Sequence, residues 1–298
     1  MQERDWKVLR LLARHLLLRS REIQRRCYVR DITGRITRRR LLKMLKAGYI
    51  KRRTLNSDGK LGGPHFLYQL DSKGVEALAV KYGLDHFLYK PTSLRQPMHL
   101  RHYAELAEVS LAFEDSLKAH RDVTFKAWFN EEEVVNFLET DNSKHHKLFT
   151  VVKNRPRIVC APDAAFMIEY QGALRACYIE LERGTSGPRH VTKKKADGFD
   201  LLHKRKLHHQ HFADLNEPNF DVLCVAPNRV HRDHLRRAFK DASGKQLWLF
   251  VDKNQLNADS FFFKPIWYDV TNKNPIPLIQ KSGHLTKGTK PDATVVMS

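Results

Sequence analysis

The feature that most constrains this chain is the order of hydrophobic periods at its N-terminus. Trp6, Val8, Leu9, Leu12, Ala13, Leu16 and Leu17 recur at intervals of three and four residues, the spacing of one helix face. Ser20 is a good N-cap for a short second helix over Arg21–Cys27, with Ile23 and Cys27 inward. After a turn at Asp31–Gly34, the residues Ile36, Leu41, Leu42, Leu45 and Ala47 mark a third helix, stopped by Gly48. The pattern then changes to strand (Tyr49–Leu55), Gly-rich turn (Asn56–Pro64) and strand (His65–Leu70), and a fourth helix follows over Ser72–Gly83.

Three helices, a strand, a turn and a strand form the order of a winged helix-turn-helix, and the charge agrees. Residues 1–60 hold 19 Lys and Arg against 5 Asp and Glu, whereas the other 238 hold 34 against 28. Most of the net charge of +20 thus sits on the N-terminal fifth, which points to a nucleic-acid-binding module on a nearly balanced body. The polar face of the third helix carries Arg35, Arg38, Arg39, Arg40, Lys43 and Lys46. In the major groove of double-stranded DNA such arginines reach guanine edges and lysines reach phosphates. Lys51, Arg52 and Arg53 extend the surface onto the first wing strand, and Lys60 lies in the wing turn. Pro91 and Pro97 mark a linker, so the expected module with its linker spans residues 1–95.

A second domain is expected over residues 96–270. It reads as a helix over His102–His120, a strand over Val123–Phe129, and an unassigned polar stretch, Asn130–Lys153. A hairpin of Ala164–Tyr170 and Ala173–Leu181 turns at Gln171-Gly172. A helix over Lys193–His208, a strand over Phe220–Ala226, a helix over Arg232–Phe239 and a strand over Leu247–Val251 complete it. This is an α+β or α/β mixed sheet with flanking helices. Residues 271–298, rich in Lys, Asn, Pro and Thr, read as a flexible tail. The longest apolar runs, such as Leu247–Val251, are five residues long, too short to cross a membrane as a helix. The N-terminus lacks the apolar stretch of a secretory signal. Cys27, Cys160, Cys177 and Cys224 form no CxxC pair, which suits buried thiols in a reducing cytoplasm, on the nucleoid or a plasmid.

The second domain carries its interest in its acids. Pro162-Asp163 opens one hairpin strand, and Glu180-Leu-Glu182 closes the other. Side chains alternate along a strand, so Glu180 and Glu182 share a face, and the hairpin partner can bring Asp163 to it. Such oxygen ligands suit Mg²⁺ or Mn²⁺ and phosphodiester cleavage. The element order and these motifs resemble the PD-(D/E)xK restriction-endonuclease-like fold. That resemblance implies metal ligation by Asp163 and Glu180 and a catalytic lysine two positions after Glu180. Here that position is Glu182, and the resemblance allows Lys194 or Lys195 of the next helix to substitute. The first helix of the domain offers Glu105 and Glu108, with Glu108 the expected further metal ligand.

The basic N-terminal module, Pro162-Asp163-Ala-Ala-Phe166, and Tyr178-Ile-Glu-Leu-Glu-Arg-Gly-Thr185 before a lysine-bearing helix resemble the replication-relaxation family of plasmids and other mobile elements. The resemblance implies a winged helix joined to a nuclease-like domain that acts on mobile-element DNA. In the second motif, Arg183 and Thr185 are positioned to bind phosphate. Neither GxSxG nor GxxxxGK[ST] occurs, which excludes hydrolase-elbow and P-loop chemistry. His203, His208, His209 and His211 cluster without metal-ligand spacing, as do His145 and His146. Tyr170, Tyr178 and Tyr268 are the tyrosine nucleophiles of a relaxase alternative, with no accompanying histidine metal signature. The expectation is a metal-dependent nickase of mobile-element DNA, with a homodimer among its partners. The alternative is a non-enzymatic replication initiator or transcriptional regulator, which the glutamate at position 182 favours.

Overall fold

The computed structural model describes residues 1–55, 65–83, 97–133, 146–183 and 188–280. The chain is mixed α and β. At its N-terminus, α1 (Glu3–His15), α2 (Ser20–Cys27) and α3 (Arg35–Lys46) precede β2 (Ile50–Leu55), β3 (His65–Leu70) and α4 (Ser72–Tyr82). A two-residue strand that the pattern does not reveal, β1 (Leu18–Arg19), pairs antiparallel with β3, so the small sheet runs β1-β3-β2. Val8, Leu9, Leu12, Ile23, Leu41 and Leu78 bury their side chains in one core.

Local chemistry fixes the turn between α2 and α3. Asp31 accepts from the Thr37 backbone N–H and hydroxyl, both at 2.7 Å, and Gln24 donates to the Asp31 carbonyl. Gly34 adopts φ +69°, a left-handed conformation that favours glycine.

Behind this unit, α5 (Pro97–Ala119) is followed by β4 (Val123–Asn130), β7 (Ala164–Tyr170), β8 (Ala173–Leu181), α6 (Pro188–Lys204), β9 (Asp221–Ala226), α7 (Arg229–Ala238) and β10 (Trp248–Asp252). The large sheet runs β10-β9-β8-β7-β4. Its β4, β7 and β8 pair antiparallel, and β8, β9 and β10 pair parallel. Alternation divides β8 between two cores. Ala176 and Tyr178 join Phe199 of α6 and Phe239 beyond α7, while Cys177, Ile179 and Leu181 join Phe113 of α5. Among the described residues no helix is long and apolar enough to cross a membrane.

Several elements depart from the sequence reading. The stretch Asn130–Lys153 contains part of a hairpin, β5 (Thr150–Asn154) with β6 (Arg157–Cys160), whose paired rather than alternating apolar residues hid it. The described part of the expected tail is packed. Ile276 bridges to Trp267, and Leu278 and Ile279 are buried in the α5-side core beside Phe261, Phe262 and Trp267. Helix α5 starts at Pro97, inside the expected linker, since proline suits a first helical turn. The boundary near residue 95 and the wing turn lie outside the described residues.

Helix α5 also ties the two parts together. Its Ala107 and Leu111 pack in the N-terminal core. Glu108 pairs with Arg19, and Glu114 pairs with Arg14 and Arg26.

Candidate metal centre and nucleic-acid surface

One end of the large sheet gathers the acids. Because β4 runs antiparallel to β7, Asn130 at the end of β4 pairs with Ala164 at the start of β7. The next residue on one strand is Glu131 and the preceding residue on the other is Asp163, joined by Glu131 N–H donating to the Asp163 carbonyl at 3.2 Å. His102, in the first turns of α5, reaches down onto both. Its Nε2 lies 3.2 Å from Glu131 Oε1 and 3.8 Å from Asp163 Oδ1. One ligand atom from each of His102, Glu131 and Asp163 lies within 4.8 Å of the others, close enough for a single cation.

The rest of this end supports Asp163 and adds a lysine. The Leu181 N–H donates to Asp163 Oδ2 at 2.6 Å, which fixes the carboxylate across the hairpin. Glu180, 3% exposed, accepts from Lys195 of α6. Burial pushes the Glu180 carboxyl up to about 8, against the pull of Lys195 and with help from the Asp163 charge. Burial opposes a charge on His102, but its bond to Glu131 and the Asp163 charge outweigh this and raise its pKa. An imidazole and two carboxylates make a donor set for a divalent cation, and the nitrogen favours Mn²⁺ over Mg²⁺.

The sequence candidates thus separate. Asp163, Glu180 and Lys195 come together. Lys194 is exposed on α6. Glu182 lies just past β8, its N–H on the Val225 carbonyl, and lines a small cavity of about 140 Å³ with Glu105, Glu108 and Arg183. Glu105 pairs with Lys253, and Glu108 with Arg19. The α5 residue in the converging group is His102 rather than Glu108, and sequence reasoning missed both His102 and Glu131. A usable signal existed: an acid directly after a strand antiparallel to the one that Asp163 opens. Thr185 and Lys60 lie outside the described residues. Tyr178 is fully buried and shares a hydrogen bond of 2.6 Å with His211, so it is a core residue.

On α3, Arg35, Arg38, Arg39, Lys43 and Lys46 are exposed, and their spacing puts them on neighbouring turns of one side. Arg40 differs. Its guanidinium bonds both oxygens of Asp5, a side chain 1% exposed, so it pins α3 to α1. This bond raises the Arg40 pKa. On β2, Lys51 and Arg52 are exposed, with Lys51 paired to Asp71 and Arg52 lying over the Phe66 ring, while Arg53 is half-buried.

A basic helical unit and an acidic sheet end joined by one long helix define a two-part α+β protein. The sequence profile of the replication-relaxation family matches residues 9–215, more than half of the chain and all of the converging residues. The chain belongs to the replication-relaxation family. No curated protein and no solved structure matches it.

Proposed function

We propose that this protein binds double-stranded DNA of a plasmid or other mobile element and nicks it at the His102, Glu131 and Asp163 centre during replication or relaxation. The convergence of these three ligand atoms beside Glu180 and Lys195 carries the reading. The basic unit acts as a winged helix-turn-helix. Its α3 enters the major groove with Arg35, Arg38, Arg39, Lys43 and Lys46, while Lys51 and Arg52 follow the backbone. The order of three helices and a β1-β3-β2 sheet supports this.

The second unit acts as a nuclease-like domain of the PD-(D/E)xK type, with Lys195 in place of the lysine absent at position 182. His102, Glu131 and Asp163 would hold a divalent ion, which would supply charge stabilisation for phosphate oxygens and an activated water. The protein's own groups do the positioning. Leu181 N–H orients Asp163. Lys195 Nζ places a positive charge beside the sheet end, where it opposes the charge that develops on phosphate. Glu180, buried beneath, accepts from Lys195 and holds that ammonium in place.

A second reading, a non-enzymatic initiator or regulator whose nuclease-like domain serves dimerisation or DNA binding, draws on Glu182 and on the pairing of Glu180 with Lys195. Nicking of supercoiled plasmid separates the two. With Mn²⁺ the parent converts plasmid to open circles, Asp163→Asn and His102→Ala do not, and both variants bind duplex as the parent does. Mn²⁺ titration calorimetry gives a binding signal that both variants lose. Equal nicking by Asp163→Asn and the parent would refute catalysis at this centre.

A further inference from the structure

The geometry points to a second nucleic-acid surface: the cleft between the two units binds a single strand and leads it to the acidic centre. The cleft has a volume of about 1820 Å³, with α1 and α2 on one side and α5 and β4 on the other. Small-molecule sites occupy roughly 300–1,000 Å³, so this space suits an extended polymer.

Its charge selects the polymer. The acids of the α5 wall are engaged, Glu108 by Arg19, Glu114 by Arg14 and Arg26, and Asp115 by Arg26 and Lys118. Arg14, Arg19 and Arg26 of the opposite wall are taken up in these pairs, and three further cations there are not. Lys7, Arg21 and Arg25 line the cleft, are exposed, and make no ion pair among the described residues. They leave a positive rim facing a neutralised wall, the arrangement that follows a phosphate backbone.

Aromatic rings decide between duplex and single strand. Phe66 on β3 and Phe125 on β4 line the cleft and are 38% and 41% exposed. Each has a guanidinium over its ring, Arg52 at 4.4 Å from the centroid of Phe66 and Arg14 at 5.3 Å from that of Phe125. Exposed rings beside arginines are stacking platforms for bases, and only unpaired bases offer a free face. Along β4 the cleft continues to Asn130, Glu132 and Glu133, the chain neighbours of Glu131. A strand lying on Phe125 therefore runs toward the centre, and β4, as an edge of the sheet, leaves that path open. The direction of this path rests on the nicking reading; binding in the cleft does not.

The test uses the full chain and fluorescein-labelled oligothymidylate in EDTA, read by fluorescence anisotropy, so that no cleavage is needed. Phe125→Ala weakens oligothymidylate binding about tenfold, Phe125→Trp keeps it, and neither changes affinity for a blunt duplex. Arg21→Ala with Arg25→Ala lowers the salt slope of oligothymidylate binding by about 1.4. Because the assay runs in EDTA it reads binding whether or not the chain nicks, which keeps this result apart from failure of the nicking reading. If Phe125→Ala does not fold, Phe125→Leu, which keeps the apolar bulk but not the ring, takes its place with the same expected loss of oligothymidylate affinity. Oligothymidylate affinity unchanged in Phe125→Ala, or reduced in step with duplex affinity, overturns the assignment. An effect of the arginine pair without one at Phe125 also overturns it, and marks a polyanion surface that suits an acidic polypeptide instead.

Discussion

The three consecutive arginines of α3 do two different jobs, and Arg40→Ala separates them from Arg39→Ala. Arg40 is 17% exposed in its side chain and Asp5 1%, so removing the guanidinium strands a carboxylate away from water. Asp5 still accepts the Gln2 N–H at 2.8 Å, which satisfies only part of it. Breaking a fully buried pair costs about 3–5 kcal/mol, and water access at the Arg40 edge brings the expected loss to about 2–3 kcal/mol. In urea, with a slope of about 2–3 kcal/mol/M, the midpoint of the N-terminal unit falls by about 1 M. Arg39 is exposed and makes no ion pair among the described residues, so Arg39→Ala changes stability by less than about 0.5 kcal/mol. That variant instead reduces the salt slope of duplex binding by about 0.9 for each phosphate that the guanidinium neutralises. A cycle with Asp5→Asn isolates the pair: the double variant is less destabilised than the sum of the single variants. Equal stability of Arg40→Ala and Arg39→Ala would show that the pair does not hold α3, and the argument from burial would fail.

Acid should weaken the second unit through its buried histidines. Burial and the Lys147 charge push His211 down to about 4, and burial does the same to His208. Between about pH 6.5 and 4 the unfolded chain takes up a proton that each folded histidine refuses, so stability is present above this window and falls as pH drops through it. From pH 7 to pH 5 the loss is about 2 kcal/mol per histidine; His211→Asn removes His211's share of the slope, and an unchanged urea-midpoint slope contradicts it. Gly74→Ala should destabilise the N-terminal unit by about 1–3 kcal/mol, because a Cβ would lie 2.2 Å from the Tyr49 carbonyl oxygen. Thermal unfolding as in the parent would mean that α4 shifts freely on β2.

Local spacing exposed some elements and hid those whose placement depends on partners. The face of α1 with Val8, Leu9 and Leu12 follows from helical spacing because it is the one face that α1 buries, and β7 and β8 stand out as short apolar runs because each buries both faces, one in each core. The two residues of β1 hold no period, and only pairing with Leu67 and Tyr68 of β3 makes them a strand. Arg38, Arg39 and Arg40 are chemically identical in the sequence. Their division depends on Asp5, 35 residues earlier, which α3 meets only after folding. On β5 and β6 the apolar residues fall in adjacent pairs, Val151-Val152 and Ile158-Val159, with Val151 exposed, so the hairpin has no apolar alternation to show.

The same logic explains the centre. Asp163 and Glu180 were legible because the hairpin is local: the Gln171-Gly172 turn sets the register that brings Asp163 under the Leu181 N–H. The helical contribution was not. Glu105 and Glu108 are the acids that a composition-led search selects on α5, yet α5 must also hold the N-terminal unit, and Glu108 is spent on Arg19 for that purpose. The turn left facing the sheet end carries His102. Glu131 follows from topology once β4 is known to run antiparallel to β7, since the end of one strand must then meet the start of the other. Motif spacing can therefore name the residues of one hairpin, but a centre assembled across β4, β7, β8, α5 and α6 is set by which element each helix must pack against. His102 adds a nitrogen donor to the two carboxylates, so a cation held by this group would be selected by a mixed donor set rather than by oxygen alone.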